Sequence, residues 1–234
     1  MAESTKKKVL LLLYPGFNIL DYAGPYEILQ KTGEGNVLEV KVAAESEITT
    51  STEGAHVKRD VALDDALIAK LHEFEMLVVP GGDSGPGTYL DSKSIDDPLR
   101  RVITAYAGLS SACSGESPRI LLSICTGSLL LGVLGVFNGR YCTSHWGAYD
   151  KLKERVAEAA VRTEQTPATV IPARFVDSGL NGNGVRIISS GGISCGMDAS
   201  LHVVRLLFGE QEAINTAGLL DYAWHKTDGV VFDS

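Results

Sequence analysis

The stretch that decides the fold is residues 120–136, ILLSICTGSLLLGVLGV. Its first five residues are apolar apart from Ser123, which is typical of a short strand buried on both faces of a sheet. Residues 127–136 continue as an apolar helix with no spacer after Cys125 and Thr126. A strand that passes directly into a helix is half of a βαβ unit, so this stretch predicts a parallel sheet covered by helices.

The same alternation of strands and helices extends in both directions along the chain. Apolar strands are predicted at residues 8–13 and 75–79, and both end at a proline-glycine turn. The remaining predicted elements are strands at 37–44 and 140–143, helices at 20–31, 60–71, 98–108 and 148–160, a hairpin of 173–177 with 185–189, and helices at 197–208 and 210–223. We therefore predict one α/β sandwich domain over residues 1–234, with a core at about 8–208 and a helical C-terminal extension.

Composition narrows the possible partners and the compartment. The 234 residues carry 29 acidic and 21 basic side chains, a formal net charge of −8, which disfavours binding to nucleic acid or to an anionic membrane. The apolar run 9–13 is too short for a signal peptide or a membrane span. These features predict a cytoplasmic protein that acts on a small neutral substrate.

The four cysteines are not expected to form disulfide bonds, because the cytoplasm is reducing and a chain of 234 residues can bury a stable core without them. No CxxC pair and no HxxxH or HExxH pattern is present, so no metal site is expected. Only Cys125 lies at a strand-to-helix turn with small flanking residues, the pattern of a nucleophile elbow. A thiol at a helix N-terminus is expected to be acidic and nucleophilic, although a buried structural cysteine is the alternative. For Cys113, Cys142 and Cys195 we favour structural roles.

Three strand ends should meet at one cleft, because ligands bind at the carboxyl ends of parallel strands. One end carries Gly81 and Gly82, whose N–H groups could form an oxyanion hole. Another leads to Asp21, whose apolar surroundings predict a raised pKa, unless the residue merely caps a helix. His145 is a further candidate for proton handling or substrate binding, with a structural role as the alternative.

Six motifs in order carry a family resemblance. They are YPGFNILDYAGP (14–25), VPGG (79–82), SICTG (123–127), LGVFNGR (134–140), TSHW (143–146) and SGGISCGMD (190–198). Together they resemble the DJ-1/PfpI superfamily and, within it, the isonitrile (cyclohexyl isocyanide) hydratase branch. The resemblance runs from about residue 8 to residue 208.

The resemblance implies a flavodoxin-like three-layer α/β/α sandwich that forms a homodimer and uses no metal or organic cofactor. It implies catalytic roles for Cys125, for Asp21 as the acid beside the sulfur, for Thr126 and for Asp198, which could instead have a structural role at the start of its helix. It also implies that Gly81 and Gly82 are backbone donors to the substrate. His145 remains a candidate for substrate binding because of its position after a strand. Protease-like branches have histidine directly after the cysteine, and Thr126 at that position disfavours a Cys-His dyad.

The implied function is hydration of an isonitrile to an N-substituted formamide, through a Cys125 thiolate with a protonated Asp21 as proton donor. One alternative is a glutathione-independent glyoxalase or deglycase acting on methylglyoxal, for which related enzymes use glutamate and a nearby histidine. Another is a redox-sensing stress-response protein with an oxidisable Cys125. The sensor half of a transcription regulator is disfavoured by the acidic charge and by the lack of a helix-turn-helix pattern.

Overall fold

A computed structural model describes residues 6–110 and 117–232. The strands of this described part are β1 (Lys7–Leu13), β2 (Leu38–Ala44), β3 (Ile48–Thr50), β4 (His56–Lys58), β5 (Val61–Ala62), β6 (Met76–Val79), β7 (Ile120–Ser123), β8 (Tyr141–Cys142), β9 (Thr169–Val170), β10 (Phe175–Leu180), β11 (Arg186–Ser190) and β12 (Gly229–Val231). The helices are α1 (Ile19–Lys31), α2 (Asp65–Ala69), α3 (Pro98–Ala107), α4 (Ser128–Leu134), α5 (Tyr149–Thr163), α6 (Cys195–Phe208) and α7 (Glu210–Leu219).

Eight strands form one central sheet in the order β12-β10-β11-β7-β6-β1-β2-β5. The six strands from β11 to β5 are mutually parallel. Strand β10 returns antiparallel to β11, and β12 lies parallel to β10 at the edge. The chain leaves β1 toward β2 on one side and later adds β6 on the other, which makes the carboxyl end of β1 a topological switch point.

The apolar strands are covered by helices. Every residue of β6 and β7, and the last five residues of β1, are buried. Helices α1, α6 and α7 pack against one another, whereas α2, α3, α4 and α5 form a second series of neighbours. The structure is therefore the α/β fold with a mostly parallel central sheet that the sequence predicts.

Polar side chains begin several of these helices. Asn18, Asp64 and Asp97 each accept a hydrogen bond from a backbone N–H in the first turn of α1, α2 and α3. Such caps satisfy N–H groups that have no partner within the helix. The cap of α1 is thus Asn18, and the alternative role of Asp21 as the helix cap is wrong, because the N–H of Asp21 donates to the Asn18 side chain.

Two other sequence predictions need correction, and one hairpin was not predicted. The predicted helix at 60–71 is only α2, because residues 61–62 pair with β2 as strand β5. The hairpin of β3 and β4 was not predicted, although Gly54 between the two strands has the positive φ of a turn residue. The C-terminal extension is not purely helical, because β12 pairs with β10 at the edge of the central sheet. Cys113 lies outside the described residues.

No helix in the described ranges combines the length and the apolar character that crossing a membrane requires.

Candidate active site

Cys125 lies on a strained turn at the carboxyl end of β7. Its φ is +54°, in the left-handed region, whereas Ile124 before it is extended. Gly127 permits the turn to approach the neighbouring strand, because a Cβ there would lie 2.5 Å from the Val79 carbonyl oxygen. The elbow geometry that the sequence pattern predicts is therefore present.

Hydrogen bonds from three segments hold this strained residue. The N–H of Cys125 donates to the Gly191 carbonyl at 3.1 Å. Its carbonyl accepts from the hydroxyls of Ser128, at 2.9 Å, and Ser144, at 3.1 Å. Strained backbone conformations persist where the surroundings over-determine them, and they concentrate at functional sites.

Asp21 lies in the first turn of α1 and is completely buried. Its Oδ2 accepts the N–H of Gly81 at 3.1 Å, whereas Oδ1 has no nitrogen or oxygen partner among the described residues. Burial raises the pKa of this carboxyl to about 7, although hydrogen bonding to the Cys125 thiol and to Gly81 lowers it in part. The predicted raised pKa of Asp21 is confirmed.

The prediction of an acidic thiol is wrong. Burial raises the pKa of Cys125 to about 12, and the negative charge of Asp21 adds to that increase. The backbone N–H groups of Ile193 and Thr126 lower it, but they do not offset the loss of solvation. Near pH 7 and above, the proton of this pair therefore lies mainly on sulfur, and Asp21 is the carboxylate that faces it.

Gly81 and Gly82 do not offer free N–H groups to a substrate, contrary to the expected oxyanion hole. The N–H of Gly81 is taken by Asp21, and that of Gly82 donates to Thr126 Oγ1 at 2.9 Å. The Thr126 hydroxyl in turn donates to the Gly82 carbonyl at 2.8 Å. The two glycines thus position Asp21 and Thr126.

The elbow opens into a cleft of about 310 Å³ at the carboxyl ends of β1, β6 and β7, where the sequence predicts it. The cleft is lined by Asn18, Thr52, Gly82, Asp83, Ser84, Cys125, Thr126, His145 and Ile193. Sequence reasoning missed Asn18, Thr52, Asp83, Ser84 and Ile193. The signal for some of them was available, because Asn18, Asp83 and Ser84 follow the ends of β1 and β6 within the loops that were expected to converge.

Asp198 is not among the residues that line the cleft, in contrast to the catalytic role that the resemblance implies. Its side chain is completely buried, and Oδ2 forms an ion pair with Arg174, with a distance of 2.7 Å to Nε. Oδ1 accepts the N–H of His225 at 2.9 Å. These contacts join the start of α6 to the residue before β10 and to the segment that leads into β12, which is a structural role.

No group of three or more histidine, cysteine, aspartate or glutamate side chains within residues 6–110 and 117–232 is arranged to hold a metal ion.

Asp21→Asn is expected to change the pH dependence of stability. The folded pKa of Asp21 is about 7 and its ordinary value is 3.8, so the folded state binds more protons between those pH values. The contribution of Asp21 to the stability of the wild type must therefore fall as pH rises from about 4 to about 7, by about 4 kcal/mol at most. Asparagine does not titrate, so the variant should gain stability relative to the wild type across this window. Urea unfolding of both proteins at pH 4, 6 and 8 measures the difference in their unfolding free energies. A difference that does not change with pH would contradict the raised pKa of Asp21.

Gly81→Ala is expected to damage the site. A Cβ at this position would lie 2.6 Å from Asp21 Oδ2 and 2.7 Å from Thr126 N, closer than real contacts allow. We expect a loss of about 1–3 kcal/mol in unfolding free energy, which is typical of overpacking. Gly182→Ala is the matched control, because nothing lies within 4 Å of its Cβ position. Equal unfolding midpoints for the two variants would show that the close approach at Gly81 is not required.

The DJ-1/PfpI family model matches residues 7–180, which include the elbow, Asp21 and the glycine pair. The chain belongs to the DJ-1/PfpI family. Among curated proteins it is similar to an isonitrile hydratase from Pseudomonas putida, with 26% identity over 95% of this chain and 80% of that protein.

Two further similarities describe the range of the family. The deglycase PfpI from Pyrococcus furiosus is 30% identical over 62% of this chain and 76% of its own length. A solved ThiJ/PfpI family protein from Pseudomonas syringae superposes with a TM-score of 0.70 at 22% identity, covering 93% of this chain and 76% of that one. The solved structure supports the fold, and the two curated relatives indicate two different chemistries.

Proposed function

We propose that this protein is an isonitrile hydratase, which converts an isonitrile and water to an N-substituted formamide. The observation that supports this most is the isolated pair of a buried carboxyl and a strained thiol, Asp21 and Cys125, beside a threonine. One residue that both accepts and returns a proton next to a nucleophile is what addition to an isonitrile carbon requires. Similarity to the P. putida hydratase over nearly the whole chain supports the same chemistry.

The first step uses the proton on sulfur. The Asp21 carboxylate accepts the thiol proton as Cys125 attacks the electrophilic isonitrile carbon, and then returns that proton to the same carbon. One C–S bond and one C–H bond form, and the product is a thioimidate, R–N=CH–S–Cys125. Asp21 is a carboxylate again. The sequence led us to expect a Cys125 thiolate beside a protonated Asp21. The reaction starts instead from a Cys125 thiol beside an Asp21 carboxylate, because burial keeps the proton on sulfur.

The second step hydrolyses the thioimidate. A water oxygen adds to the imidate carbon while Asp21 accepts one of its protons and passes it to the nitrogen. The tetrahedral adduct then collapses: the C=O bond forms, the C–S bond breaks, and the hydroxyl proton moves through Asp21 to sulfur. The two protons of water thus end on the formamide nitrogen and on the Cys125 thiol, which leaves the site as it began.

The surroundings suit a neutral, apolar substrate. Burial of the thiol and the carboxyl favours a substrate that carries no charge. At the cleft, Ile193 is 40% exposed, and Trp146, next to His145, is 76% exposed. These side chains could cover an apolar N-substituent such as cyclohexyl. The proposal includes a cytoplasmic homodimer that needs no metal or organic cofactor.

A glyoxalase or deglycase activity is the second candidate. His145 lines the cleft together with Cys125, and the similarity to the P. furiosus deglycase favours it. A redox sensor is a weaker candidate, because reversible oxidation favours accessible thiols with lowered pKa, whereas Cys125 is 5% exposed and its pKa is raised.

Product identification tests the proposed function. Purified protein is incubated separately with cyclohexyl isocyanide and with methylglyoxal, and the products are identified by NMR spectroscopy. The proposal expects N-cyclohexylformamide in the first mixture. Formation of lactate from methylglyoxal, with no formamide from cyclohexyl isocyanide, would contradict the proposal and favour the glyoxalase.

A further inference from the structure

The imidazole of His145 is oriented by its own segment. Its Nδ1 accepts the backbone N–H of Gly147 at 3.1 Å. An acceptor nitrogen carries no proton, so this hydrogen bond assigns the neutral tautomer with the proton on Nε2. His145 lines the cleft that contains Cys125, and the ring nitrogen that carries its proton is Nε2.

The ring and its segment are held in place by their neighbours. A Cβ at Gly192 would lie 2.4 Å from His145 Cδ2, so the ring packs directly against the glycine backbone. The Trp146 ring lies beside it, with 5.2 Å between the ring centroids. The preceding residue, Ser144, donates to the Cys125 carbonyl at 3.1 Å. His145 is therefore attached to the elbow by a short, hydrogen-bonded connection.

The His145 Nε2–H has no acceptor among the described residues, in contrast to several other N–H donors at the site. The N–H groups of Gly81 and Gly82 are taken by Asp21 and Thr126. The Asn18 amide donates to Glu53 Oε1 at 2.7 Å. His145 therefore has an N–H that remains available to a bound molecule.

We propose that His145 is a catalytic residue whose Nε2–H donates a hydrogen bond to the nitrogen of the thioimidate. This assignment rests on the proposed function. An isonitrile nitrogen has no lone pair to accept a hydrogen bond, but the nitrogen of R–N=CH–S–Cys125 has one. His145 can therefore act only after Cys125 has added, when it withdraws electron density from the C=N bond that water attacks. No proton is transferred from the neutral ring; Asp21 carries out every proton transfer.

A contact that forms only after addition has a distinctive kinetic signature. Interactions that are absent in the ground state and present later accelerate only the steps in which they exist. Loss of the donor should leave formation of the Cys125 adduct unchanged and slow its hydrolysis. Removal of one positioned donor typically slows such a step about 10²- to 10³-fold.

The test is rapid acid quench of single turnovers with cyclohexyl isocyanide, followed by intact-mass analysis. We expect His145→Ala to form the adduct at the wild-type rate and to accumulate it, with hydrolysis slowed about 10²- to 10³-fold. His145→Gln, whose side-chain amide can donate from a similar position, should recover a large part of the rate. If the alanine variant does not fold, His145→Leu replaces it as the variant without a donor. His72→Gln, at an exposed histidine before β6 and far from the carboxyl ends of the strands, is the matched control.

The outcomes separate this assignment from the proposed function. Formamide production by the wild type with normal adduct hydrolysis in the alanine or leucine variant would overturn the role of His145 alone. Equal slowing by glutamine and alanine would overturn it as well, because a donor would then not be the required feature. Absence of both adduct and formamide in the wild type would overturn the proposed function, and the role of His145 with it.

Discussion

Cys125→Ala is expected to reduce formamide formation at least about 10³-fold, because the substitution removes the atom that bonds to the substrate carbon. Loss of a catalytic nucleophile has effects of this order or larger. The fold should survive, because the backbone hydrogen bonds of residue 125 do not involve sulfur. The measurement is the initial rate of formamide production at saturating cyclohexyl isocyanide.

Cys142→Ala is the control for this variant. Cys142 is completely buried in β8, and burial raises the pKa of its thiol to about 12, as for Cys125, but it does not lie on the elbow. A general requirement for thiols would affect both variants, whereas the proposed mechanism predicts normal kcat for Cys142→Ala. Substantial hydration by Cys125→Ala would show that water adds to the isonitrile without the cysteine.

Asp21→Asn is expected to have the second large effect, a loss of about 10²- to 10⁴-fold in kcat/KM, which is the usual contribution of a positioned acid-base group. Asparagine can still accept from the Gly81 N–H, but it cannot carry the proton of Cys125. The same residue should determine the pH profile. The active form has the thiol protonated and Asp21 ionised, so kcat/KM of the wild type should rise with pH through about 7.

The direction in which kcat/KM changes with pH shows whether Asp21 must be ionised or protonated at the start of the reaction. In Asp21→Asn the rise near pH 7 should disappear, and the residual rate should increase only as the thiol itself ionises at higher pH. A wild-type rate that falls as pH rises through 7 would contradict the assigned proton position. It would indicate that a protonated Asp21 is required from the start. The pH dependence of kcat/KM for both proteins, measured with one isonitrile, decides between the two.

Much of the fold was predictable because it depends on local patterns. Continuous apolar runs ending at Pro-Gly or at Ser-Ile-Cys-Thr-Gly predict the strands of a covered parallel sheet, and β1, β6 and β7 are buried as expected. The glycine-rich turn before Val185 predicts the antiparallel pairing of β10 with β11. Strands β5 and β12 were not predictable, since they are two and three residues long and depend on partners distant in sequence.

The sequence predicts which residues form the candidate site better than it predicts their pKa values and hydrogen bonds. The elbow at Cys125 and the desolvated Asp21 follow from local sequence, and the structure brings them together. The pKa of the thiol does not follow, because it depends on burial by loops after three separate strands and on the charge of Asp21. The hydrogen bonds that occupy Gly81 and Gly82 likewise depend on how closely α1 and the elbow approach them.

Asp198 shows the limit of transferring a role by motif. Its position at the start of α6 was visible in the sequence, but the partners that give it a structural role are Arg174 and the backbone of His225. The His225 contact depends on the C-terminal segment folding back over α6, and the Arg174 contact depends on the placement of the residue before β10. Without that segment's placement, a carboxylate near a glycine-rich turn is equally consistent with catalysis and with structure.

The most direct test of the account is the fate of the substrate carbon during a single turnover. Wild-type protein is mixed with cyclohexyl isocyanide labelled with ¹³C at the terminal carbon, quenched in acid at intervals, and mapped by peptide mass spectrometry. The account predicts a transient labelled adduct on the peptide that contains Cys125, followed by labelled N-cyclohexylformamide at a matching rate. Formamide that accumulates while Cys125 remains unlabelled at every time point would contradict covalent hydration at this elbow.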